Sequence, residues 1–517
     1  MAKQVIYDAI VVGSGASGGW AAKELTEGGM RVLLLDAGET PEEKERIIFF
    51  QNLYRKLKYR GKVDQPTLSL ERQTIQSKCY AWEWSCQYFV DDIDNPYTTP
   101  EDKPFVWIRS RQVGGRMIVK SHGRHLYRLS DHDFKAASRD GYGEDWPITH
   151  AELAPYYERV ERWVGIQGTV ENIPHLPDSI FLPPQEINEG GKLLKSALER
   201  RWTDRHVIIG RSAPPPSTIP SAQRTKRLTL RSNAIASHVI VDTDTGKAKG
   251  IAFIDRLSHK SYEVFAKVIV LCASSIESTR LLLNSSSSKY PNGLGNSSGV
   301  LGHYLMDHFN SVNIKGTIPH PERFPAHYPV GGFYIPQFRN IHDRHPDFIR
   351  GYGIQGSSER QLQEGVQVVP FQMVAFGEML PRYENYVTID PYKKDAWGIP
   401  VAHISCAYSD NEYAMAKDQL ESLKEMAEEA GFIVESEGCT LAPPGMAVHE
   451  VGTARMGNDP KTSVLNKFNQ SWDVKNLFIT DGAAFVSQGC QNPTLTIMAL
   501  TVRACDYILD NYRKGNF

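Results

Sequence analysis

Tyr7-Asp8-Ala9-Ile10-Val11-Val12-Gly13-Ser14-Gly15-Ala16-Ser17-Gly18-Gly19, followed by Leu33-Leu34-Leu35-Asp36, is the stretch whose reading decides the fold class. Val5 to Val12 is β-rich and almost wholly apolar, as expected of a strand in a parallel sheet covered on both faces. The loop Gly13 to Gly18 opens a helix-compatible stretch that runs through Glu27. Gly28-Gly29 stops it, and Arg31 to Leu35 reads as a second strand ending on Asp36. Strand, G-x-G-x-x-G turn, helix and acidic strand tip are the signature of a dinucleotide-binding unit. Glycines allow the tight turn and let the backbone approach a pyrophosphate, which sits on the helix N-terminus where unpaired N–H groups favour negative charge. Asp36 is placed to take two hydrogen bonds from ribose hydroxyls. A glycine loop alone is weak evidence, and its position between two strands carries the reading. The loop does not choose between FAD and NAD.

Further along, Val239 to Val241 and Gly250 to Asp255 flank Asp242-Thr243-Asp244-Thr245-Gly246 and read as a hairpin. Val264 to Ala273 is another buried strand, running through Ser274-Ser275 into a helix. Asp418 to Glu429 lies in the clearest amphipathic helix, with Tyr413, Ala416, Leu420, Leu423 and Ala427 as its apolar stripe and Gly431 as its stop. The 517 residues are 41% hydrophobic and 23% charged, which places the chain among globular proteins and not disordered ones. Lys and Arg number 58 against 60 Asp and Glu, so no global field favours nucleic acid or an anionic membrane surface. The start lacks the basic and apolar regions of a secretory leader, and the longest apolar run, Val268 to Ala273, is far short of the ~20 residues that cross a bilayer. The expectations are no membrane span and a cytoplasmic chain. Seven scattered cysteines without a CxxC pair read as reduced thiols, and no metal site is expected. His122 and His125 form an HxxH pair without further ligands and read as ordinary hydrogen-bonding groups. The basic run Arg224, Lys226, Arg227, Arg231 reads as a solvated strand face.

Several segments together resemble the glucose-methanol-choline (GMC) oxidoreductases, FAD-dependent enzymes that oxidise alcohols. They are Tyr7 to Gly19 with Leu35-Asp36-Ala37-Gly38; Arg111-Gln112-Val113-Gly114-Gly115 leading to Arg128 to Phe134; Val268 to Leu283; Leu301 to His308; His449-Glu450-Val451-Gly452-Thr453-Ala454-Arg455-Met456-Gly457; Asn476 to Gly482; and Asn492-Pro493-Thr494. The resemblance implies an α/β fold in which a Rossmann-like FAD-binding domain is interwoven with a sheet-plus-helices substrate-binding domain. The expected FAD-binding part is 1–45, 105–145, 205–310 and 440–517; residues 46–104 would be a lid, and 146–204 with 311–439 the substrate-binding part. It further implies FAD contacts at Gly13, Ser14, Gly15, Ala16, Ser17, Gly18, Asp36, Gly114, Gly115, Val119, Val239, Asp481, Asn492 and Thr494. Val119 stands where some relatives tether FAD through histidine, so the cofactor should be non-covalent. Lys120 stands near the position that faces the flavin.

Taking hydride from an alcohol requires its hydroxyl proton to leave, and a neutral imidazole suits that task at ordinary pH. The family places a histidine at the flavin and a second histidine or an asparagine 43 residues onward. By this resemblance His449 is the base and Asn492, the matching position, holds the alcohol oxygen. An asparagine there, with Gly143-Glu144-Asp145-Trp146-Pro147-Ile148, is similar to the sugar-oxidising branch that includes glucoside 3-dehydrogenases and pyranose oxidases. The implied reaction is oxidation of a ring secondary hydroxyl, C3 first, of glucose or a glucoside, with Gln488 and Gln491 as candidate substrate contacts. The alternatives are a pyranose 2-oxidase-like activity and a lyase that keeps a non-redox flavin. Implied partners are the sugar, an electron acceptor (oxygen, quinone, dye or cytochrome), and in some relatives a small export subunit and a cytochrome subunit. Co-export with such a subunit would place the chain in the periplasm.

Overall fold

In a computed structural model of the chain, residues 6–43, 72–79, 85–119, 125–183, 186–324 and 331–517 are described. Lys120, His122 and most of the expected lid fall outside them. The glycine loop sits where a mixed seven-stranded sheet meets its first helix. The sheet runs Leu228–Arg231, Val32–Leu35, Ile6–Val12, Ser261–Leu271, Ala248–Asp255, Ala234–Val241, with Leu477–Ile479 also paired to Ser261–Leu271. The pairs around Ile6–Val12 are parallel, and its register sets Val12 beside both Leu35 and Leu271. Three strand ends therefore open at one edge, the place where doubly wound sheets bind ligands. Ala16–Glu27 crosses back over this sheet because Gly18 has no side chain: a Cβ there would lie 1.8 Å from the Gly13 carbonyl oxygen. Gly13 itself has φ +90°, and a Cβ on it would meet the Cys272 carbonyl oxygen at 2.4 Å.

The hairpin around Asp242 is present as Ala234–Val241 and Ala248–Asp255, with Asp242 Oδ1 accepting from the Thr245 N–H. Ser261–Leu271 begins earlier than its apolar core, since its first residues extend the hairpin into solvent. The basic run lies partly on the edge strand Leu228–Arg231, where Arg231 pairs with Asp255 at 2.6 Å.

A second sheet is antiparallel and six-stranded: Ile433–Gly438, Asn313–Thr317, Pro370–Gly377, Tyr352–Ser358, Gly331–Ile335, Ile208–Ile209. Period-two alternation divides its faces. Tyr352, Ile354, Phe371, Met373 and Ala375 are buried in a core shared with the helices Glu189–Arg201 and Asp410–Glu429. Gln355, Val374 and Phe376, on the other face, are only partly buried.

Two expectations need correction. The expected stripe of Asp410–Glu429 is buried at Ala416, Leu423 and Ala427, with Leu420 packed partly buried on the same core, but its first member Tyr413 is 53% exposed, and Glu412, Asp418, Gln419 and Ser422 are buried as well. Specific partners drive this. Asp418 takes a two-pronged ion pair from Arg339 and a hydrogen bond from the Tyr352 hydroxyl at 2.6 Å, and Glu412 both closes the capping box of Ser409 and accepts the Leu380 N–H. The expected segment boundaries also shift. Ile208–Ile209, assigned to 205–310, is an edge strand of the second sheet. His150–Val164, assigned to the substrate part, packs on the C-terminal helix Thr494–Arg513 beside the first sheet. The hairpin Tyr386–Lys394 and Pro400–Ser405 rests on Ser275–Leu283, also on the first sheet's side. Boundaries inferred from motif spacing do not register which core an intervening apolar face joins.

Candidate active site

A single cavity runs from the glycine loop to His449 and Asn492. At the loop end, Gly15 caps the helix Ala16–Glu27 without any side-chain hydrogen bond, and the first turn carries no acidic residue. Its terminal N–H groups thus face the cavity with their partial positive charge unanswered. Gly15 and Gly115 face each other so closely that a Cβ on Gly115 would stand 2.9 Å from the Gly15 Cα. Arg109, on the same wall, is buried with its Nε unpartnered, and burial holds its pKa down to about 10. The guanidinium also donates to the Asn95 carbonyl and stacks on Trp107, so a bare helix terminus, a glycine cradle and one unpartnered guanidinium N–H are what fit a dinucleotide pyrophosphate.

Asp36 ends its strand as expected, but its acceptor capacity is largely used. Oδ2 accepts the Ser14 N–H at 3.1 Å and the Ser14 hydroxyl at 2.5 Å, and Oδ1 accepts the Gly38 N–H at 2.8 Å. Two lone pairs per oxygen leave one site on Oδ1, so the two ribose bonds expected of Asp36 reduce to one. Burial pushes its pKa up. Asp481 caps Gly482–Ala484 through Oδ1 and accepts the Ser278 hydroxyl through Oδ2, with its pKa pushed up to about 6 by burial.

At the other end, the His449 N–H donates to Asp307 Oδ1 at 2.9 Å, and Asp307 Oδ2 accepts from Gly445 and Ala447. This carboxylate fixes a turn in which Val448 has φ +57°. The His449 ring lies between two partners: Nε2 is 3.0 Å from Asn492 Nδ2, and Nδ1 is 3.0 Å from His308 Nδ1. Gln355 Nε2 donates to Asn492 Oδ1 at 2.8 Å, and Phe376 approaches the His449 ring with centroids 6.0 Å apart. The half-buried face of the second sheet thereby reaches the His449–Asn492 pair.

Of the residues singled out from sequence, Gly13, Ser14, Gly15, Ala16, Ser17, Asp36, Gly115, His449, Asp481, Asn492 and Thr494 line the cavity. Gly18 lies behind the loop, and Gly114 contributes an N–H to the Ser14 hydroxyl. Val119 is buried among Val106, Ile108 and Val448. Val239 is buried in its strand, away from the cavity, whose wall is made instead by Ala234, Ile235 and Ala236. Gln488 and Gln491 are buried: Gln488 Nε2 donates to the His449 carbonyl at 2.9 Å, and both Oε1 atoms lack partners. Sequence reading missed His308, Asp307, Gln355 and Phe376. Leu301 to His308 resembles the family only as a segment, which gives its last residues no role, and Gln355 and Phe376 carry no motif. Among the described residues no cluster of His, Cys, Asp or Glu has metal-binding geometry, and no helix is long and apolar enough to cross a membrane.

Fold and cavity define a flavin-type alcohol oxidoreductase, and sequence comparison agrees: the two GMC oxidoreductase domains match at residues 217–310 and 381–501. These are the N- and C-terminal domains of the GMC oxidoreductases, FAD-dependent enzymes acting on CH–OH donors. The chain is 29% identical to 2-methyl-1,2-propanediol dehydrogenase of Mycolicibacterium austroafricanum over 97% of this chain and 95% of that one. Identity to the fructose dehydrogenase large subunit of Gluconobacter japonicus is 24%, over 98% of each. C-glycoside 3-oxidase of Arthrobacter globiformis is 24% identical over 60% of this chain and 57% of its own. The crystal structure of pyridoxine 4-oxidase from Mesorbium loti shares the fold, with a TM-score of 0.63 and 17% identity over 97% of this chain and 98% of that one.

Proposed function

We propose that the chain oxidises a ring secondary hydroxyl, C3 of a glucose unit in a free sugar or glucoside, to the keto-sugar, with His449 as base. The observation that carries this reading is the His449–Asn492 pair at 3.0 Å on the wall of the cofactor cavity. A substrate hydroxyl entering between them donates its proton to His449 Nε2 while its oxygen accepts an Asn492 N–H. Asn492 Nδ2 carries two hydrogens, so it holds the developing negative charge without titrating. Bound FAD supplies the hydride acceptor. The cavity's loop end holds its pyrophosphate through Gly13 to Ser17, Gly115 and the helix terminus, and Val119, apolar and buried, supports non-covalent binding. The flavin part then comprises 1–45, 105–145, most of 205–310 and 440–517, with the second sheet as substrate wall.

A polar amide beside an aromatic ring, Gln355 with Phe376, suits a polyol whose faces alternate hydroxyl and C–H. Relatives named fructose dehydrogenase and C-glycoside 3-oxidase support the sugar, and the latter supports C3. That one relative is named as a large subunit supports partner subunits and an electron acceptor beyond this chain. The relative named for 2-methyl-1,2-propanediol favours a second reading, oxidation of a small vicinal diol. Anaerobic mixing of the holoenzyme with methyl glucosides, free sugars and 2-methyl-1,2-propanediol decides between them. Bleaching by a glucoside with a 3-keto product in the NMR spectrum is expected; bleaching by the diol alone would replace the sugar reading. Reoxidation in air against a quinone or dye then identifies the acceptor class.

A further inference from the structure

We propose that His308 is the positioning residue that sets the tautomer of His449, keeping the proton on His449 Nδ1 so that Nε2 meets the substrate as an acceptor. This rests on His449 being the base.

The polarity of the contact chain follows from its one end that cannot reverse. The Gly489 carbonyl oxygen can only accept, and it lies 2.7 Å from His308 Nε2, so that nitrogen carries the hydrogen. His308 is 1% exposed, and burial lowers its pKa to about 4, so the ring is neutral near pH 7 and its Nδ1 has no hydrogen. That Nδ1 is 3.0 Å from His449 Nδ1. A hydrogen bond between the two requires the hydrogen on His449. A neutral His449 with its proton on Nδ1 leaves Nε2 as an acceptor, and the Asn492 amide at 3.0 Å donates to it. Gln355 holds the other end of that amide by donating to Asn492 Oδ1. Donors and acceptors thus alternate without conflict from Gly489 to Gln355. An amide pair such as Asn492–Gln355 reads equally well in either direction, so it fixes nothing by itself; the backbone carbonyl does.

The default chemistry runs the other way. In water a neutral imidazole carries its proton mainly on Nε2, the tautomer in which His449 would present an N–H to the alcohol and take no proton. His308 reverses that preference, and its neighbour Asp307 holds the main chain of the same residue. Two successive residues therefore fix the base, one its backbone and the other its ring. Partners that orient metal-ligating histidines are worth about 10- to 100-fold in activity, and the same scale is expected for His308, below the about 10²–10⁴ of the base itself.

The test uses holoenzyme labelled with ¹⁵N in histidine, with His449→Gln assigning the His449 signals. The expected wild-type spectrum shows a protonated Nδ1 and an unprotonated Nε2 for His449. In His308→Phe the proton moves toward Nε2, and anaerobic flavin reduction slows about 10- to 100-fold at unchanged FAD content and substrate affinity. His308→Asn, whose Oδ1 replaces the acceptor, restores the Nδ1–H tautomer and most of the rate. A wild-type His449 protonated on Nε2 overturns the proposal without any variant having to fold. So does a His308→Phe protein with unchanged tautomer and rate. If His449→Ala leaves flavin reduction unaffected, the base assignment itself fails; if it slows reduction while His308→Phe does not, only the role of His308 fails.

Discussion

Between Gly445 and His449 the backbone passes through Val448 at φ +57°, a region that costs a β-branched residue about 1–3 kcal/mol and persists only when its surroundings impose it. Asp307 imposes it by accepting three N–H groups of the turn, although burial and the nearby Glu450 push its own pKa up. Asp307→Asn replaces one acceptor oxygen by an N–H donor, and a loss of about 1–3 kcal/mol in unfolding free energy is expected from denaturant titration. A second residue-scale outcome concerns pH. His175 is held near a pKa of about 4 by burial, with His206 and Arg205 adding their charge, against about 6.5 in an unfolded chain. Its folded pKa is depressed, so the unfolded state binds more protons in between and this contribution is lost as pH falls from about 6.5 toward 4. The stability of His175→Asn relative to wild type should therefore rise as pH is lowered from 7 to 4; a pH-independent difference would contradict it. At this scale His449 and Asn492 were legible because the family spaces them 43 apart. His308 and Asp307 were not, because a partner that acts through another residue has no spacing of its own.

The strand–loop–helix unit at the N-terminus shows how one element can be read from the order of its residues. Its glycines answer separate needs: Gly13 a positive φ, Gly18 the helix crossing at a distance no side chain tolerates. Gly18→Ala should lower the thermal midpoint sharply and reduce FAD retained on purification, since overpacking at a site with only backbone to move costs about 1–3 kcal/mol or more. Purification with full FAD and an unchanged midpoint would show that the crossing relaxes. The second sheet was opaque by contrast. Its strands alternate visibly, as in Phe371-Gln372-Met373-Val374-Ala375-Phe376, but alternation says which residues share a face, not what that face meets. Only the fold brings Gln355 and Phe376 to His449. If they form the substrate wall, Phe376→Ala should weaken substrate saturation of flavin reduction by about tenfold, the scale of ~1.4 kcal/mol of lost contact, with a limiting rate close to wild type. An effect on the limiting rate alone would place Phe376 with the catalytic pair.

For the molecule as a whole, the first sheet draws its strands from three stretches of chain, 6–35, 228–271 and 477–479, and a second sheet brings Gln355 and Phe376 to the same site. The near balance of 58 basic and 60 acidic residues suits a neutral substrate, and the concentrated positive field is local, at the helix terminus and Arg109. Fold class, cofactor type and the juxtaposition of His449 with Asn492 were readable because they rest on ordered motifs near both ends. The partition into parts was less readable, because His150–Val164 and the hairpin 386–405 join the first sheet through apolar faces that look the same in sequence whichever core they enter. The central claim is that His449, paired with Asn492, takes the hydroxyl proton of a sugar alcohol. Anaerobic stopped-flow reduction of the flavin by a methyl glucoside, in wild type and His449→Ala of equal FAD content, tests it most directly. The expected result is rapid bleaching in wild type and a rate lower by about 10²–10⁴ in the variant; equal rates in the two proteins would contradict it.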